Sequence, residues 1–320
     1  MTLNQPLNQT PNQPFASRRT ALYLIALLAL AAGLSSFATA QTPAAPAPPP
    51  APATLPPMNG IAHIAIRVKD IAASVAFYHK LGFDQAFANL GRDGVTVSQS
   101  FVKLNDRQYI ELYPDNAQNP AQSESIFMHL CFEGADLNAL HDYYVAEGLT
   151  PIAVRTAGAG NLLFTMKGPQ QFADPQNIEY TQYMPGSKHT LEFGKLNGPD
   201  RVGDKMTVVV LDMQDPAAAR DFYLTKMGFT PNKTNPALLD LPGTSGESVQ
   251  IVPVSELGAR SSIVLTTPDL DKSAAQLTRQ QVEFKRASAT TTDAKGKTRT
   301  VDMISITDPD NNIIRLQSTK

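Results

Sequence analysis

Two stretches of the chain share one order of hydrophobic and polar positions. In residues 63–83 and again in residues 206–229, a run rich in β-branched residues is followed by a polar turn and an amphipathic segment. Each segment ends in a Gly-Phe pair, so Gly82 and Gly228 stand where a helix C-terminus favours a residue that tolerates positive φ. The pattern predicts two strand–helix units of the same kind.

Further strand–helix starts lie between and beyond these two units, at residues 126–149 and 261–284. In addition, an Asp-Pro pair at Asp174 and again at Asp308 precedes a strand-like run. Together these landmarks predict four strand–helix–strand–strand–strand (βαβββ) modules, at residues 60–115, 126–184, 204–255 and 261–319. Solenoid repeats are shorter and more uniform than these modules, which favours modules that pair into domains.

The fold class that this order predicts is α+β, with two domains of two modules each. The first domain is expected at residues 58–185 and the second at residues 204–320, with a linker at residues 186–203. A length of 320 residues agrees with two domains of ordinary size.

The N-terminal region differs in composition from the rest of the chain. Residues 21–34 are apolar or small, they follow Arg18 and Arg19, and a small-x-small cleavage pattern ends at Ala40. This order is typical of an export signal, so residues 1–40 are predicted to be removed as the protein reaches the periplasm or the medium.

The export route stays open between an ordinary secretory signal and a twin-arginine signal. An uncleaved signal would instead hold the protein at the membrane. Residues 41–57, rich in proline and alanine and without charge, predict an extended spacer before the first module.

The charge balance argues against nucleic acid as a partner and leaves a small-molecule substrate as the expectation. There are 27 Lys and Arg residues against 29 Asp and Glu, which gives no strong field of either sign. The single cysteine, Cys131, excludes an intramolecular disulfide and a zinc site built from several cysteines. Both a monomer and a homodimer remain open.

The four modules resemble the vicinal oxygen chelate superfamily, which includes glyoxalase I, bleomycin-resistance proteins and extradiol dioxygenases. The resemblance covers residues 59–319. It implies that each pair of modules curls an eight-stranded sheet around a cavity. It also implies that metal ligands come from the first and fourth strands of each module.

Four residues occupy the places where a glyoxalase I-like protein holds its metal. Strand side chains alternate between faces, and this alternation places His63, Glu111, His129 and Glu179 on the polar faces of their strands. The resemblance therefore implies one divalent metal ion in the first domain. Zn, Ni, Co, Mn and Fe(II) all suit two imidazoles and two carboxylates, and the donor set does not choose among them.

The glyoxalase-like ligand set implies an enzyme that acts on a small oxygen-rich substrate through a metal-stabilised enediolate-like state, as a lyase or isomerase. By resemblance, Glu179 is the catalytic base and Glu111 is its counterpart across the metal. Arg67 stands where glyoxalase I holds a substrate carboxylate. Asp115, however, stands where that enzyme has an asparagine, so glutathione is not expected as the cosubstrate.

The same alternation places further residues on these faces. Tyr109, Tyr113 and Tyr183 share the faces of the metal residues and are candidates for substrate contact. His189 falls in the predicted linker and has no predicted role.

The second domain keeps the modules but lacks the ligands. Gln250 takes the place of Glu111, Ser262 lies near the position of His129, and Arg315 replaces Glu179. An arginine in such a site argues against a second metal, so the domain is expected to complete a wall, close the cavity or mediate assembly.

Two other functions stay open. One is an extradiol dioxygenase-like enzyme that uses Fe(II) with His63, His129 and Glu179. Its members, however, usually carry the metal in the second domain. The other is a ligand-binding protein of the bleomycin-resistance type without catalysis, which the complete set of four metal residues disfavours.

Overall fold

The computed structural model describes residues 54–115, 127–172, 174–257, 260–293 and 295–318. The predicted export signal and nearly all of the proline-rich spacer lie outside these residues. Within the described part, no helix has both the length and the apolar character needed to cross a membrane.

The first half of the described chain contains two βαβββ modules. The first consists of β1 (Met58–Val68), α1 (Ile71–Lys80), β2 (Gln85–Leu90), β3 (Val97–Lys103) and β4 (Tyr109–Pro114). The second consists of β5 (Phe127–Gly134), α2 (Leu137–Ala146), β6 (Arg155–Thr156), β7 (Leu162–Gln170) and β8 (Pro175–Gln182). A short helix, α3 (Lys188–Leu191), follows in the segment that leads to the second half.

The second half repeats this order. Its first module contains β9 (Lys205–Met213), α4 (Pro216–Thr225), β10 (Thr230–Pro231), β11 (Leu238–Asp240) and β12 (Ser248–Pro253). After the short helix α5 (Val254–Leu257), the last module contains β13 (Ser262–Thr267), α6 (Leu270–Arg279), β14 (Phe284–Thr292), β15 (Thr298–Thr307) and β16 (Ile313–Ser318).

Each half forms one curved eight-stranded sheet, and the two sheets have the same strand order. The first runs β2-β3-β4-β1-β5-β8-β7-β6, and the second runs β10-β11-β12-β9-β13-β16-β15-β14. The first strands of the paired modules are antiparallel neighbours at the centre of each sheet, and each is parallel to the fourth strand of its own module. The α+β fold of four βαβββ modules in two curved sheets is therefore confirmed.

The long helix of every module begins after an aspartate that caps its N-terminus, so the same local interaction starts all four helices. The side chains of Asp70, Asp136, Asp215 and Asp269 each accept hydrogen bonds from backbone N–H groups in the first helical turn. Such a cap stabilises a helix by about 1 kcal/mol relative to alanine. At the other end, Gly82 and Gly228 have positive φ, +83° and +74°, as the sequence predicts.

One continuous hydrophobic core joins the two halves. The alternate faces of the sheet strands bury residues such as Ile64 and Tyr180 against the helices, and the rings of Phe132 and Phe229 meet across the halves at 5.7 Å between centroids. The Tyr78 hydroxyl also donates to Asp308 Oδ2 at 3.0 Å. Because this core covers one face of each sheet, a binding or catalytic site would lie on the opposite face.

Candidate metal centre

Strand register brings four polar side chains to the centre of the first sheet. Glu111 on β4 and His129 on β5 both lie opposite Ala65 of β1, from its two sides. His63 lies opposite Cys131, which in turn pairs with Glu179 of β8. The central strands are parallel to the fourth strand of each module and antiparallel to each other. This register makes residues that are far apart in sequence neighbours on one face.

The four side chains cluster around the ring of His63. His63 Nε2 lies 3.1 Å from His129 Nε2 and 3.4 Å from an oxygen of each glutamate, Glu111 Oε1 and Glu179 Oε1. His129 Nε2 lies 3.8 Å from Glu111 Oε2 and 4.0 Å from Glu179 Oε2. The structure thus brings together all four residues that the sequence proposes as metal ligands.

These separations suit a single ion of ordinary bond length. Two ligand atoms that each lie ~2.1 Å from a metal are about 3.0 Å apart at a right angle and about 3.4 Å apart at the tetrahedral angle. The contacts of His63 fall in this range, and those of His129 slightly exceed it. Nitrogen and oxygen donors of this kind fit a borderline or hard divalent cation.

Burial favours the protonation state that metal binding requires of the histidines. Desolvation lowers the pKa of His63 to about 3. Desolvation also lowers the pKa of His129 to about 4, although Glu179 acts in the opposite direction. Both imidazoles are therefore neutral near pH 7 and have lone pairs to offer. A bound cation would also compensate the negative charge of the two carboxylates.

The two carboxylates have unequal surroundings. Glu111 is 4% exposed, and its Oε2 accepts from Gln99 Nε2 at 2.7 Å and from the Tyr113 hydroxyl at 3.3 Å. Burial, followed by the charge of Glu179, raises the pKa of Glu111 well above its ordinary value. The side chain of Glu179 is 12% exposed and has no comparable pair of fixed donors among the described residues. Glu111 is therefore the anchored carboxylate and Glu179 the less constrained one.

Cys131 also belongs to this cluster. Its thiol lies with His63 and Glu179 in a group of ligand atoms all within 4.8 Å of one another, beside the group of His63, Glu111 and His129. Burial raises the pKa of this fully buried thiol, and the charges of both glutamates act in the same direction. The thiol therefore stays protonated and places a weak donor next to Glu179.

The predicted substrate residues lie in three different places. Tyr113 contacts the metal cluster through Glu111, as described above. The Tyr109 hydroxyl donates to the backbone oxygen of His189 at 3.5 Å, and the Tyr183 hydroxyl donates to the backbone oxygen of Arg107 at 3.1 Å. Arg67 lines a separate groove of about 430 Å³ whose lining includes none of the four converging residues.

His189 is a residue of this region that the sequence does not reveal. It is 2% exposed, and neither ring nitrogen has a hydrogen-bond partner among the described residues. Its ring stacks on Tyr183 at 4.7 Å and meets the rings of Phe87, Phe101 and Tyr109 edge-on. These aromatic residues lie on the sheet face that carries the metal cluster, so α3 of the connecting segment covers part of that face.

A buried lysine holds the connecting segment against the sheet. The ammonium group of Lys103 donates to Asp106 at 2.7 Å, to the backbone oxygen of Lys195 at 2.6 Å and to the backbone oxygen of Glu192. The Lys103 side chain is fully buried. The sequence gives no signal for this contact, because it joins a strand end to an irregular segment.

The second sheet has other residues at the equivalent positions. Its register aligns Val208, Gln250, Ser262 and Arg315 with His63, Glu111, His129 and Glu179. Arg315 Nη1 donates to Ser262 Oγ. Within the described residues, the groups that could hold a metal ion all lie in the first sheet.

Comparisons with known proteins agree with this architecture. Residues 60–180 and 205–316 match the model of the glyoxalase/bleomycin resistance protein/dioxygenase superfamily. No curated protein matches the chain by sequence. The described fold is similar to the Mn(II)-bound glyoxalase from Novosphingobium aromaticivorans, with a TM-score of 0.59, 14% identity, and coverage of 82% of this chain and 83% of that chain.

Ring-cleaving dioxygenases are similar to the same extent. An extradiol ring-cleaving dioxygenase from B. fuscum has a TM-score of 0.56 and 14% identity, over 85% of this chain and 75% of that chain. The 2,3-dioxygenase LapB from Pseudomonas sp. KL28 has a TM-score of 0.58 and 12% identity, over 83% and 93%. At this identity the likeness supports the fold alone. The two family matches cover most of the chain, one for each sheet, and the protein belongs to the glyoxalase/bleomycin resistance protein/dioxygenase superfamily.

Proposed function

We propose that the protein is an exported enzyme that uses one divalent metal ion, in its first half, for glyoxalase-type lyase or isomerase chemistry on a small oxygen-rich substrate. The observation that carries this proposal is that both carboxylates lie within 4.0 Å of each of two adjacent imidazole nitrogens, with only one carboxylate anchored. A cluster that only stabilises the fold would not require one carboxylate to be anchored and the other to be less constrained.

His63, His129, Glu111 and Glu179 would hold the ion. A divalent metal at such a site supplies Lewis-acid stabilisation of negative charge that develops on a substrate oxygen. The ligand residues would have different roles at this site. The neutral imidazoles fix the position of the ion, and Glu111 keeps its orientation through Gln99 and Tyr113.

Glu179 is the proposed base. Its carboxylate is the more exposed of the two and lacks the paired donors that immobilise Glu111. Glu179 would take the proton from the substrate carbon next to the carbonyl and return it to the neighbouring carbon.

The aromatic residues around His189 are the proposed boundary of the substrate space. Phe87, Tyr109 and Tyr183 present apolar ring surface on the sheet face of the metal cluster. Arg67 lies in a separate groove and would meet only a substrate that extends past the end of β1. We therefore expect a compact substrate, and we do not expect glutathione as its carrier.

A second candidate is an Fe(II) enzyme of the extradiol dioxygenase type, with His63, His129 and Glu179 as ligands. The observation in its favour is the likeness in fold to ring-cleaving dioxygenases across both sheets. In that function Glu111 would have no reason to reach the ion, although its Oε1 lies 3.4 Å from His63 Nε2. A non-catalytic ligand-binding protein is the third candidate.

Metal analysis followed by two assays separates these functions. The protein purified without chelators and without oxygen should contain about one divalent ion per chain. It should then convert a hemithioacetal or a related α-hydroxycarbonyl compound, and it should leave catechol intact. Ring cleavage of catechol with consumption of dioxygen would favour the second candidate. A protein with no affinity for divalent ions would favour the third.

Glu179→Gln tests the base, because the amide can still occupy the site but cannot accept a proton. We expect a loss of activity of at least 10²-fold with the metal retained. Glu133→Gln is the matched control. Glu133 is a buried carboxylate on β5 whose partners are Arg107 and Asn59, outside the metal cluster. Equal activity of wild type and Glu179→Gln would overturn the assignment.

A further inference from the structure

The exposed face of the second sheet encloses a cavity of about 530 Å³. This volume lies within the range of about 300–1,000 Å³ that is usual for small-molecule sites. The cavity occupies the same place in the second sheet as the metal cluster in the first, since Val208, Gln250 and Arg315 line it and are the register equivalents of His63, Glu111 and Glu179.

About half of the cavity wall is apolar. Among the lining side chains are those of Val208, Val210, Val252, Leu257, Val264, Met303 and Ile313. Val208, Val210 and Val252 are buried in the described structure, although they are not covered by the main core. The apolar part of the wall suits a ligand with an aliphatic or aromatic body.

Arg315 supplies a positive charge beside the apolar part of the cavity wall. Its guanidinium is half-buried and donates through Nη1 to the hydroxyl of Ser262. No carboxylate lies within ion-pair distance of Arg315 among the described residues. Of the other charged side chains of the lining, both exposed, Glu256 acts electrostatically on Arg315, and Arg299 adds a second positive charge. The lining therefore has an excess of positive charge, and its half-buried cation, Arg315, forms no direct ion pair among the described residues.

The two sheets thus place positive charge at one register position by different means. In the first sheet, Glu179 and three further ligands would hold a divalent ion. In the second, Arg315 at the position of Glu179 brings a permanent charge, which needs no metal. A guanidinium offers a planar pair of N–H donors that matches the two oxygens of a carboxylate.

We propose that the second half of the protein binds a small organic carboxylate with an apolar body, whose carboxylate pairs with Arg315 and whose body fills the cavity of the second sheet. Gln250, which lines the cavity, adds a neutral hydrogen-bonding group, and one unpaired guanidinium favours a singly charged ligand. This binding is independent of the metal in the first half and does not depend on the function proposed for that metal.

Binding of benzoate and octanoate to the full-length mature protein tests the proposal, with benzamide as the uncharged comparison. Isothermal titration calorimetry should detect saturable binding of at least one carboxylate and at least tenfold weaker binding of benzamide. Arg315→Gln should weaken carboxylate binding at least tenfold, and Arg315→Lys should weaken it less. Arg286→Gln, at an exposed position of β14 outside the cavity lining, is the matched control and should retain the wild-type affinity.

Two further measurements locate the ligand and do not depend on how the variants fold. Carboxylate affinity should be the same before and after removal of divalent metal by a chelator. In protein with ¹³C-labelled methionine methyl groups, benzoate should shift the Met303 resonance and leave that of Met166, which is buried in the core, in place.

Three results would overturn the proposal. They are the absence of saturable carboxylate binding at millimolar concentration, an affinity unchanged in a folded Arg315→Gln variant, and binding lost together with the metal. The last result would place the carboxylate on the ion of the first half. Failure of the metal site itself would leave Arg315-dependent binding intact, so the two proposals can fail separately.

Discussion

Gln99 on β3 orients Glu111 on β4: its side-chain amide donates to Glu111 Oε2 at 2.7 Å. The same amide group lies 2.6 Å from the Tyr113 hydroxyl, which itself donates to Glu111 Oε2 at 3.3 Å. With Oε2 held from two sides, Glu111 presents Oε1 to His63 Nε2 at 3.4 Å. Gln99 therefore acts as a positioning residue for the metal site.

Gln99→Leu should weaken divalent metal binding by about 10–100-fold, the range found when a residue that orients a ligand is removed. The variant keeps the side-chain volume but leaves Glu111 with the longer bond from Tyr113 alone. Competition with a chromogenic chelator measures the affinity. Tyr113→Phe, which removes that longer bond, should have the smaller effect. Equal affinities of Gln99→Leu and wild type would contradict the role of Gln99.

His189 should make stability depend on pH. Burial lowers the pKa of His189 to about 3, and nearby His63 acts in the same direction. Between pH 6.5, the ordinary pKa of histidine, and pH 3, His189 is protonated in the unfolded chain but stays neutral in the folded chain. The free energy of unfolding therefore falls as the pH decreases towards 3. The contribution of one such group is about 1.4 kcal/mol per pH unit.

His189→Phe tests this dependence, because phenylalanine fills the aromatic cluster and does not titrate. Urea unfolding of the metal-free protein between pH 7 and pH 4 should show a shallower loss of stability than in wild type. Its slope should be smaller by about 1 kcal/mol per pH unit. Parallel stability curves for the two proteins would show that His189 is not the group responsible.

The sequence predicts the fold because its signals are local and repeated. Alternating strand positions, the polar turn after them and the Gly-Phe pair that ends the helix are readable along the chain, and Gly82 and Gly228 have the positive φ that this pattern predicts. The faces of His63 and Glu111 follow from the same alternation. The sequence therefore carries the module order and the direction in which these side chains point.

Contacts of the irregular segments have no such signal. The position of His189 depends on the path of the connecting segment, which Lys103, on another strand, holds at the backbone oxygens of Glu192 and Lys195. Gln99 depends on the pairing of β3 with β4, which places Phe101 opposite Glu111 and Gln99 within reach of it. These relationships are set by tertiary register and packing, so local sequence patterns do not reveal them.

Lys103→Met should release the connecting segment from the sheet. The substitution keeps an unbranched apolar chain but leaves two backbone oxygens and Asp106 without their buried donor. We expect a loss of about 2–4 kcal/mol in the free energy of unfolding. Hydrogen exchange should become faster at residues 188–195. Lys195→Met is the control: its ammonium is largely exposed, and the change should cost at most about 0.5 kcal/mol.

Tyr78 and Asp308 should couple the two halves energetically. The Tyr78 hydroxyl, on α1, donates at 3.0 Å to Asp308 just before the last strand, and both side chains are buried. Tyr78→Phe and Asp308→Asn should each destabilise the protein, and their double-mutant cycle should give a coupling energy of about 1 kcal/mol or more. Because Asn312 also donates to Asp308, Tyr78→Phe should be the milder change. Unfolding should remain a single transition, since the core is continuous. Additive effects or two separate transitions would mean that the halves fold independently.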